Sequence, residues 1–291
     1  MQSSGPLIVV VGPTASGKSA LAMRIAQKYD GEIIAADSRT VYRGMDIGTA
    51  KPTPADQALV PHHLIDLRNP DESFSVAEFK ELAQAAINDI LSRGKVPVLV
   101  GGTGLYVDAV LFDYQFGAAP NTAERARLSA LSIDELQDIC RENNITMPIN
   151  SRNKRHLVRA IELGGLLNHK KKLRNNTLVV GISTDRETLR RRIEQRAHEM
   201  VDAGVLGEVA MMGARYQWAG EAMKGNIYRV FHQVVEGTMS IGDAIEEFVR
   251  SDMALAKRQM TWFKRNLHIL WSSESDVLLE EVDTFLSQSS S

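Results

Sequence analysis

An α/β fold with an open parallel sheet flanked by helices is predicted by three observations. Leu7-Ile8-Val9-Val10-Val11, Glu32-Ile33-Ile34-Ala35-Ala36 and Val96-Pro97-Val98-Leu99-Val100 are apolar runs of the kind that form strands buried on both faces. Between them, residues 20–28 and 76–92 repeat apolar residues at helical spacing, so the order is β-α-β-α-β, which specifies parallel strands with helical crossovers. The segment from Gly12 to Ser19 joins the first strand to the first helix and reads G-x-x-x-x-G-K-S.

That segment makes the sheet P-loop NTPase-like. The loop Gly12-Pro13-Thr14-Ala15-Ser16-Gly17 turns backbone N–H groups toward an anion, and the helix N-terminus behind it favours negative charge. Lys18 adds a point charge, and the Ser19 hydroxyl can hold a divalent ion, Mg2+ being the cofactor expected. A di- or triphosphate ligand is predicted.

The second strand ends at Asp37-Ser38, and residues 39–70 then form a long Gly- and Pro-containing loop of the kind that usually either works or is disordered. Ser75 caps a helix over 76–92, with Glu78 completing a capping box and Gly94 ending it. The third strand runs into Gly101-Gly102-Thr103-Gly104. Ligands of open parallel sheets gather beyond the carboxyl ends of the strands, so the phosphate loop, Asp37 and Thr103 are expected to share one site. Asp37 can accept a proton from a nucleophile or reach the metal; its structural alternative is a helix cap or turn. Thr103 can position a reacting group but cannot act as a base. The third strand lacks the terminal acid by which ATP-hydrolysing P-loop proteins usually hold magnesium.

The texture changes at Asp113, where two short helices, 124–131 and 133–143, lie between Gly117 and Pro148. The expected organisation is a core over 1–112, a helical insertion over 113–150, and the rest of the core over 151–291 with a basic helical C-terminal region. A helix over 153–167 carries Lys154, Arg155 and Arg159, followed by Lys170-Lys171-Lys172 and Arg174. Residues 178–182 read as a further strand. The helix over 188–201 carries Arg190, Arg191, Arg192 and Arg196, read as a solvated face paired with Glu187 and Glu194. The remainder to about 286 reads as mostly helical. Residues 257–265 mix cations with Trp262 and Phe263, a composition suited to phosphates and bases, although both rings also suit a core. Adjacent His62 and His63 read as loop packing and not as metal ligands.

Composition sets bounds. The chain has 291 residues, of which 44% are hydrophobic and 24% charged, with a formal net charge of -2, so no overall basic charge advertises nucleic acid. The single Cys140 excludes an internal disulfide and a cysteine-based zinc site. No segment reaches ~20 continuous apolar residues and Met1 to Gly5 has no leader character, so a cytoplasmic protein without a membrane partner is expected.

In this order, the motifs resemble the bacterial tRNA dimethylallyltransferases, also called tRNA isopentenyltransferases. The likeness rests on Gly12 to Ser19, Asp37-Ser38, Gly44 to Pro52, His63 to Asp66, Gly101 to Tyr106, Arg159 to Glu162, and Lys257-Arg258-Gln259 with Thr261-Trp262-Phe263. The resemblance implies transfer of a dimethylallyl group from its diphosphate to the N6 amine of the adenosine 3′ of the anticodon, by a monomer. It implies that the loop and Lys224 hold the donor's diphosphate with Mg2+, that Asp37 takes the amine proton, and that Thr103 contacts donor or RNA. It further implies tRNA contacts at Asp37, Ser38, Arg39, Thr40 and Thr103, at Arg155, His156, Leu157, Val158 and Arg159, and at Lys257, Arg258 and Gln259. The insertion would clasp the anticodon stem-loop. The chain departs from the family pattern in a shorter insertion, in Thr40 for Gln, His156 for Arg, Lys224 for Arg and Ile227 for Gly. A small-metabolite kinase and an enzyme prenylating free adenine nucleotides are the competing functions. A tRNA-binding module with a decayed site is the third.

Overall fold

The computed structural model describes residues 5–117, 121–148, 150–165, 172–218 and 220–289. It divides into two compact units, one formed by 1–111 with 173–291 and the other by 112–172.

In the larger unit the chain runs β1 (Leu7–Val11), α1 (Lys18–Lys28), β2 (Gly31–Ala35), α2 (Pro54–Leu59), β3 (His62–His63), α3 (Val76–Ser92), β4 (Val96–Gly101) and α4 (Gly104–Leu111). In the smaller unit follow α5 (Thr122–Ala130), α6 (Ile133–Glu142) and α7 (Lys154–Glu162). The larger unit resumes with β5 (Thr177–Ile182), α8 (Arg186–Asp202), α9 (Val205–Tyr216), α10 (Asn226–Val235), α11 (Ile241–Phe263), β6 (Ile269–Ser272) and α12 (Ser275–Ser289).

The six strands form one parallel sheet in the order β3-β2-β4-β1-β5-β6. β1 lies between β4 and β5, with Val10 opposite both Val100 and Val180. All five of its side chains are fully buried, as a two-sided parallel strand requires. One face packs Ile8, Val10, Val98 and Val180 against Leu21 and Ile25 of α1 and Leu278 and Val282 of α12. The helical C-terminal part has its own core, where Ile193, Val209, Phe231 and Phe248 close over Val41 and Met45.

α3 begins at the expected capping box: Ser75 Oγ accepts the Glu78 N–H at 3.2 Å, and Glu78 Oε2 accepts the Ser75 N–H at 2.9 Å. The C-terminal part departs from the helical expectation by adding the edge strand β6, whose Leu270 is exposed. His62 and His63 extend the sheet as β3. His62 Nδ1 lies 2.8 Å from the Val60 carbonyl, and His63 Nε2 lies 2.7 Å from the buried Glu32. Bidentate pairing with Arg93, helped by His63, holds the Glu32 carboxyl down at about 2.

The boundary of the insertion needs correction. α7 packs on α5 and α6 and belongs to the smaller unit, which runs from 112 to 172 and not from 113 to 150. The cause is apolar: Leu157 and Val158 complete a core with Leu128, Leu136 and Cys140. The helix ends at Glu162 ahead of Gly164 and Gly165, both at positive φ, shorter than the expected 153–167. Lys170 and Lys171 lie outside the described residues.

Candidate functional site

The order β2-β4-β1 brings three sequence-distant segments side by side at the carboxyl edge of the sheet: Asp37-Ser38, Gly101-Gly102-Thr103 and the phosphate loop. They line one cavity of about 750 Å³ together with Lys18, Ser19, Arg39, Thr40, Lys224, Arg258 and Gln259. The strand ends are tied to one another. The Ala36 N–H donates to the Val100 carbonyl at 2.7 Å, and the Ser38 N–H donates to Thr103 Oγ1 at 3.2 Å. Only glycine fits at 101, because a Cβ there would lie 2.0 Å from the Ala36 carbonyl oxygen.

The phosphate loop turns on Gly17, at φ 96°, and on Ala15, at φ 59°, a left-handed conformation that a side chain makes costly and that recurs at ligand sites. Lys18 lies back over the loop, its Nζ 3.4 Å from the Pro13 carbonyl. Burial lowers its ammonium to about 8, Asp37 opposing the shift and Arg196 adding to it. Ser19 is exposed to the cavity.

Asp37 uses Oδ1 to accept the Arg39 N–H at 2.8 Å. Arg39 in turn donates to the Glu221 carbonyl at 2.6 Å, and Lys224 pairs with the Glu221 carboxylate at 2.8 Å. Thr40 is buried, and its hydroxyl has no partner among the described residues. Gln259 Oε1 accepts the Thr14 N–H at 2.8 Å, linking α11 to the loop.

Several expected residues stand elsewhere. Leu157 and Val158 are buried in the core of the smaller unit, so their side chains cannot meet RNA. Within that unit Arg155 and His156 are exposed, whereas Arg159 is half-buried and paired at 3.1 Å with Glu162, which also holds Arg125. Lys257 is exposed on α11. Phe263 is a core residue, which takes its ring out of base stacking, whereas Trp262 is half-buried beside Gly104 with its Nε1–H donating to Asp108 at 2.8 Å.

The largest correction concerns α8. Its arginines are not all a solvated face: Arg192 donates to the Ser16 carbonyl at 3.1 Å, and Arg196 reaches Thr14 Oγ1 at 2.9 Å and the buried Asp252 at 2.6 Å. The signal was present in the i,i+4 spacing of Arg192 and Arg196 beside the buried Leu189-Ile193-Ala197 stripe. Asp252 could also be flagged, because it interrupts the stripe of Ile245, Phe248, Val249 and Ala256. Glu208 was missed too. Buried on α9, it accepts the N–H groups of Asp46, Ile47 and Gly48 at 2.8, 2.8 and 2.9 Å and the Tyr228 hydroxyl at 2.6 Å.

No group of three or more His, Cys, Asp or Glu side chains converges on a metal position among the described residues. The site fits a hard cation that arrives on a phosphate, because the Ser19 hydroxyl and the Asp37 carboxylate share the cavity. No helix among the described residues is long and apolar enough to cross a membrane.

Comparison with known proteins agrees with this geometry. The chain is 37% identical to a tRNA dimethylallyltransferase of Anoxybacillus flavithermus over 282 residues, covering 93% of this chain and 91% of that protein. It is 42% identical to one from Roseiflexus over 282 residues, covering 91% and 92%. A crystal structure of the full-length tRNA isopentenylpyrophosphate transferase from Bacillus halodurans superposes with a TM-score of 0.74 at 34% identity, covering 98% of this chain and 96% of that one. A eukaryotic dimethylallyltransferase acting on tRNA superposes with a TM-score of 0.79 at 25% identity, covering 98% and 77%. The family model described as IPP transferase matches residues 40–266, and with it the chain belongs to the IPP transferase family.

Proposed function

We propose that the protein transfers a dimethylallyl group from dimethylallyl diphosphate to the N6 amine of the adenosine 3′-adjacent to the anticodon of tRNA. The observation that carries this reading is the convergence of the phosphate loop, Asp37 and Thr103 on one cavity, with β4 ending in Gly101-Gly102-Thr103 and not in an acid. The loop and Lys18 bind the diphosphate as a leaving group, and Lys224 adds charge on the same wall. Mg2+, held by Ser19 and the diphosphate, would neutralise charge that grows on the leaving group.

The reaction balances without another reagent. The adenine nitrogen forms a bond to the first carbon of the prenyl group as the bond from that carbon to the diphosphate oxygen breaks, and diphosphate departs with the electron pair. The proton shed by nitrogen goes to Asp37, whose Oδ2 is left for the substrate while Oδ1 is held by Arg39. Thr103 accepts from Ser38 and keeps its own O–H to donate to a substrate oxygen. The target adenine must leave its stack to reach this cavity.

The test is incubation with unmodified tRNA and labelled dimethylallyl diphosphate, followed by nuclease digestion. Label in one N6-alkylated adenosine is expected. Label in free adenosine monophosphate when both acceptors are offered would transfer the activity to nucleotide prenylation.

A further inference from the structure

The cavity contains an anchored arginine that the sequence does not assign to it. Arg196 leaves α8 toward the phosphate loop, where its Nη2 donates to Asp252 at 2.6 Å and to Thr14 Oγ1 at 2.9 Å. The Asp252 side chain is 4% exposed, and its Oδ1 accepts from Asn226 Nδ2 at 2.7 Å. The Arg196 side chain keeps 25% of its surface open, and Thr14, Arg196, Asn226 and Asp252 all line the cavity that contains Lys18.

Two features distinguish this cluster from an ion pair that serves only the fold. Nη2 spends its two hydrogens on Asp252 and Thr14, and Nε is buried without a partner among the described residues, which leaves the two N–H donors of Nη1 for the cavity. The cluster is also within electrostatic reach of the loop's lysine, since Arg196 lowers the Lys18 pKa and Asp252 raises it. Lys224, which lines the same cavity, is 56% exposed and tied to Glu221, a single ammonium that cannot grip two oxygens at fixed geometry.

We propose that Arg196 is a further diphosphate-binding residue, held at the phosphate loop by Asp252, and that the two N–H donors of its Nη1, fixed in direction by that pairing, grip the leaving diphosphate with a geometry that the Lys224 ammonium lacks. This rests on the cavity being the prenyl-diphosphate site. Paired to Arg196 and Asn226, Asp252 is kept from repelling the incoming anion while it fixes the fork's direction. The grip strengthens as charge develops on the leaving oxygen, which is where a preorganised cation lowers the barrier.

The test is calorimetric titration of inorganic diphosphate with MgCl2 into the wild type, Arg196→Lys and Arg196→Gln, with the Tm of each and its affinity for an anticodon stem-loop RNA. Arg196→Lys keeps the charge and the pairing to Asp252 but loses the fork. Its diphosphate affinity is expected to fall about tenfold, and that of Arg196→Gln about a hundredfold, with stem-loop affinity unchanged within about twofold. Should Arg196→Gln fail to fold because Asp252 is left unpaired, Arg196→Lys alone decides. Unchanged diphosphate affinity in Arg196→Lys overturns the proposal, and so does a parallel loss of both ligands with Tm, which is the signature of a structural role. A wild type that binds no diphosphate overturns the donor reading itself, and this proposal with it.

Discussion

Half of the Asp37 carboxylate is engaged by the fold: Oδ1 holds the Arg39 N–H, while Oδ2 has no partner among the described residues. Asp37→Asn keeps the Arg39 bond and the side-chain size but cannot take a proton. Single-turnover transfer is therefore expected to fall about a hundredfold or more, with Tm unchanged. A lower Tm with the single-turnover rate preserved would make Asp37 a turn residue. Lys18 gives a second prediction. Its ammonium titrates at about 8 in the free cavity, and a bound diphosphate favours the charged form. Below that pH the cation is already present. Above it, binding must first take up a proton, so diphosphate affinity should decline by up to about tenfold per pH unit, and Lys18→Met should abolish the decline. A flat profile between pH 7 and 9.5 would show that Lys18 does not meet the diphosphate. The placement of Asp37, Lys18 and Thr103 at one cavity was legible in the sequence because each sits within three residues of a strand or helix end that periodicity locates. Arg196 and Asp252 could be flagged as charges beside or within an apolar stripe, but their pairing was not legible, because it depends on Thr14, 182 and 238 positions away.

Among the elements, α9 bears on the site without touching a substrate. Its Glu208 gathers three consecutive backbone N–H groups, which fixes the 44–52 segment whose Gly48, Thr49, Ala50 and Lys51 line the cavity. Lys51, buried, braces the same segment from below through Tyr42, Asp46 and Asp66. Glu208→Gln sets an amide N–H against backbone donors and is expected to cost about 2–4 kcal/mol in urea unfolding, with diphosphate affinity nearly unchanged. A cost below about 0.5 kcal/mol would mean that the segment is held by other contacts. Strong periodicity and local capping made β1, β4 and α3 readable; α3 runs from Val76 to Ser92 as its capping box and Gly94 specify. The two edge strands were not readable. β3 has two residues, and the apolar run of β6 is only Ile269-Leu270-Trp271, so neither carries the longer apolar run that marks a central strand.

At the scale of the whole molecule, a net charge of -2 leaves RNA binding to local patches. Lys257 and Arg258 are exposed neighbours on α11, and Arg258 lines the cavity that contains Lys18 and Asp37. Replacing both by Gln is expected to weaken binding of different tRNAs alike and to reduce the slope of log affinity against log salt by about two. An unchanged slope would move the RNA path away from α11. The parallel core and its phosphate loop could be foreseen from strand order, whereas the extent of the smaller unit could not. Its limits are set by Leu157 and Val158 packing on α5 and α6, and a basic helix in sequence conceals that apolar face. The central claim is that a phosphate loop of nucleotide-hydrolase type here serves a prenyl donor. Its most direct test is one preparation, given anticodon stem-loop RNA and either dimethylallyl diphosphate or ATP, with diphosphate and inorganic phosphate release followed in parallel. Diphosphate released one-for-one with alkylated adenosine, and no phosphate from ATP, is the predicted result; steady ATP turnover without prenyl transfer would contradict it.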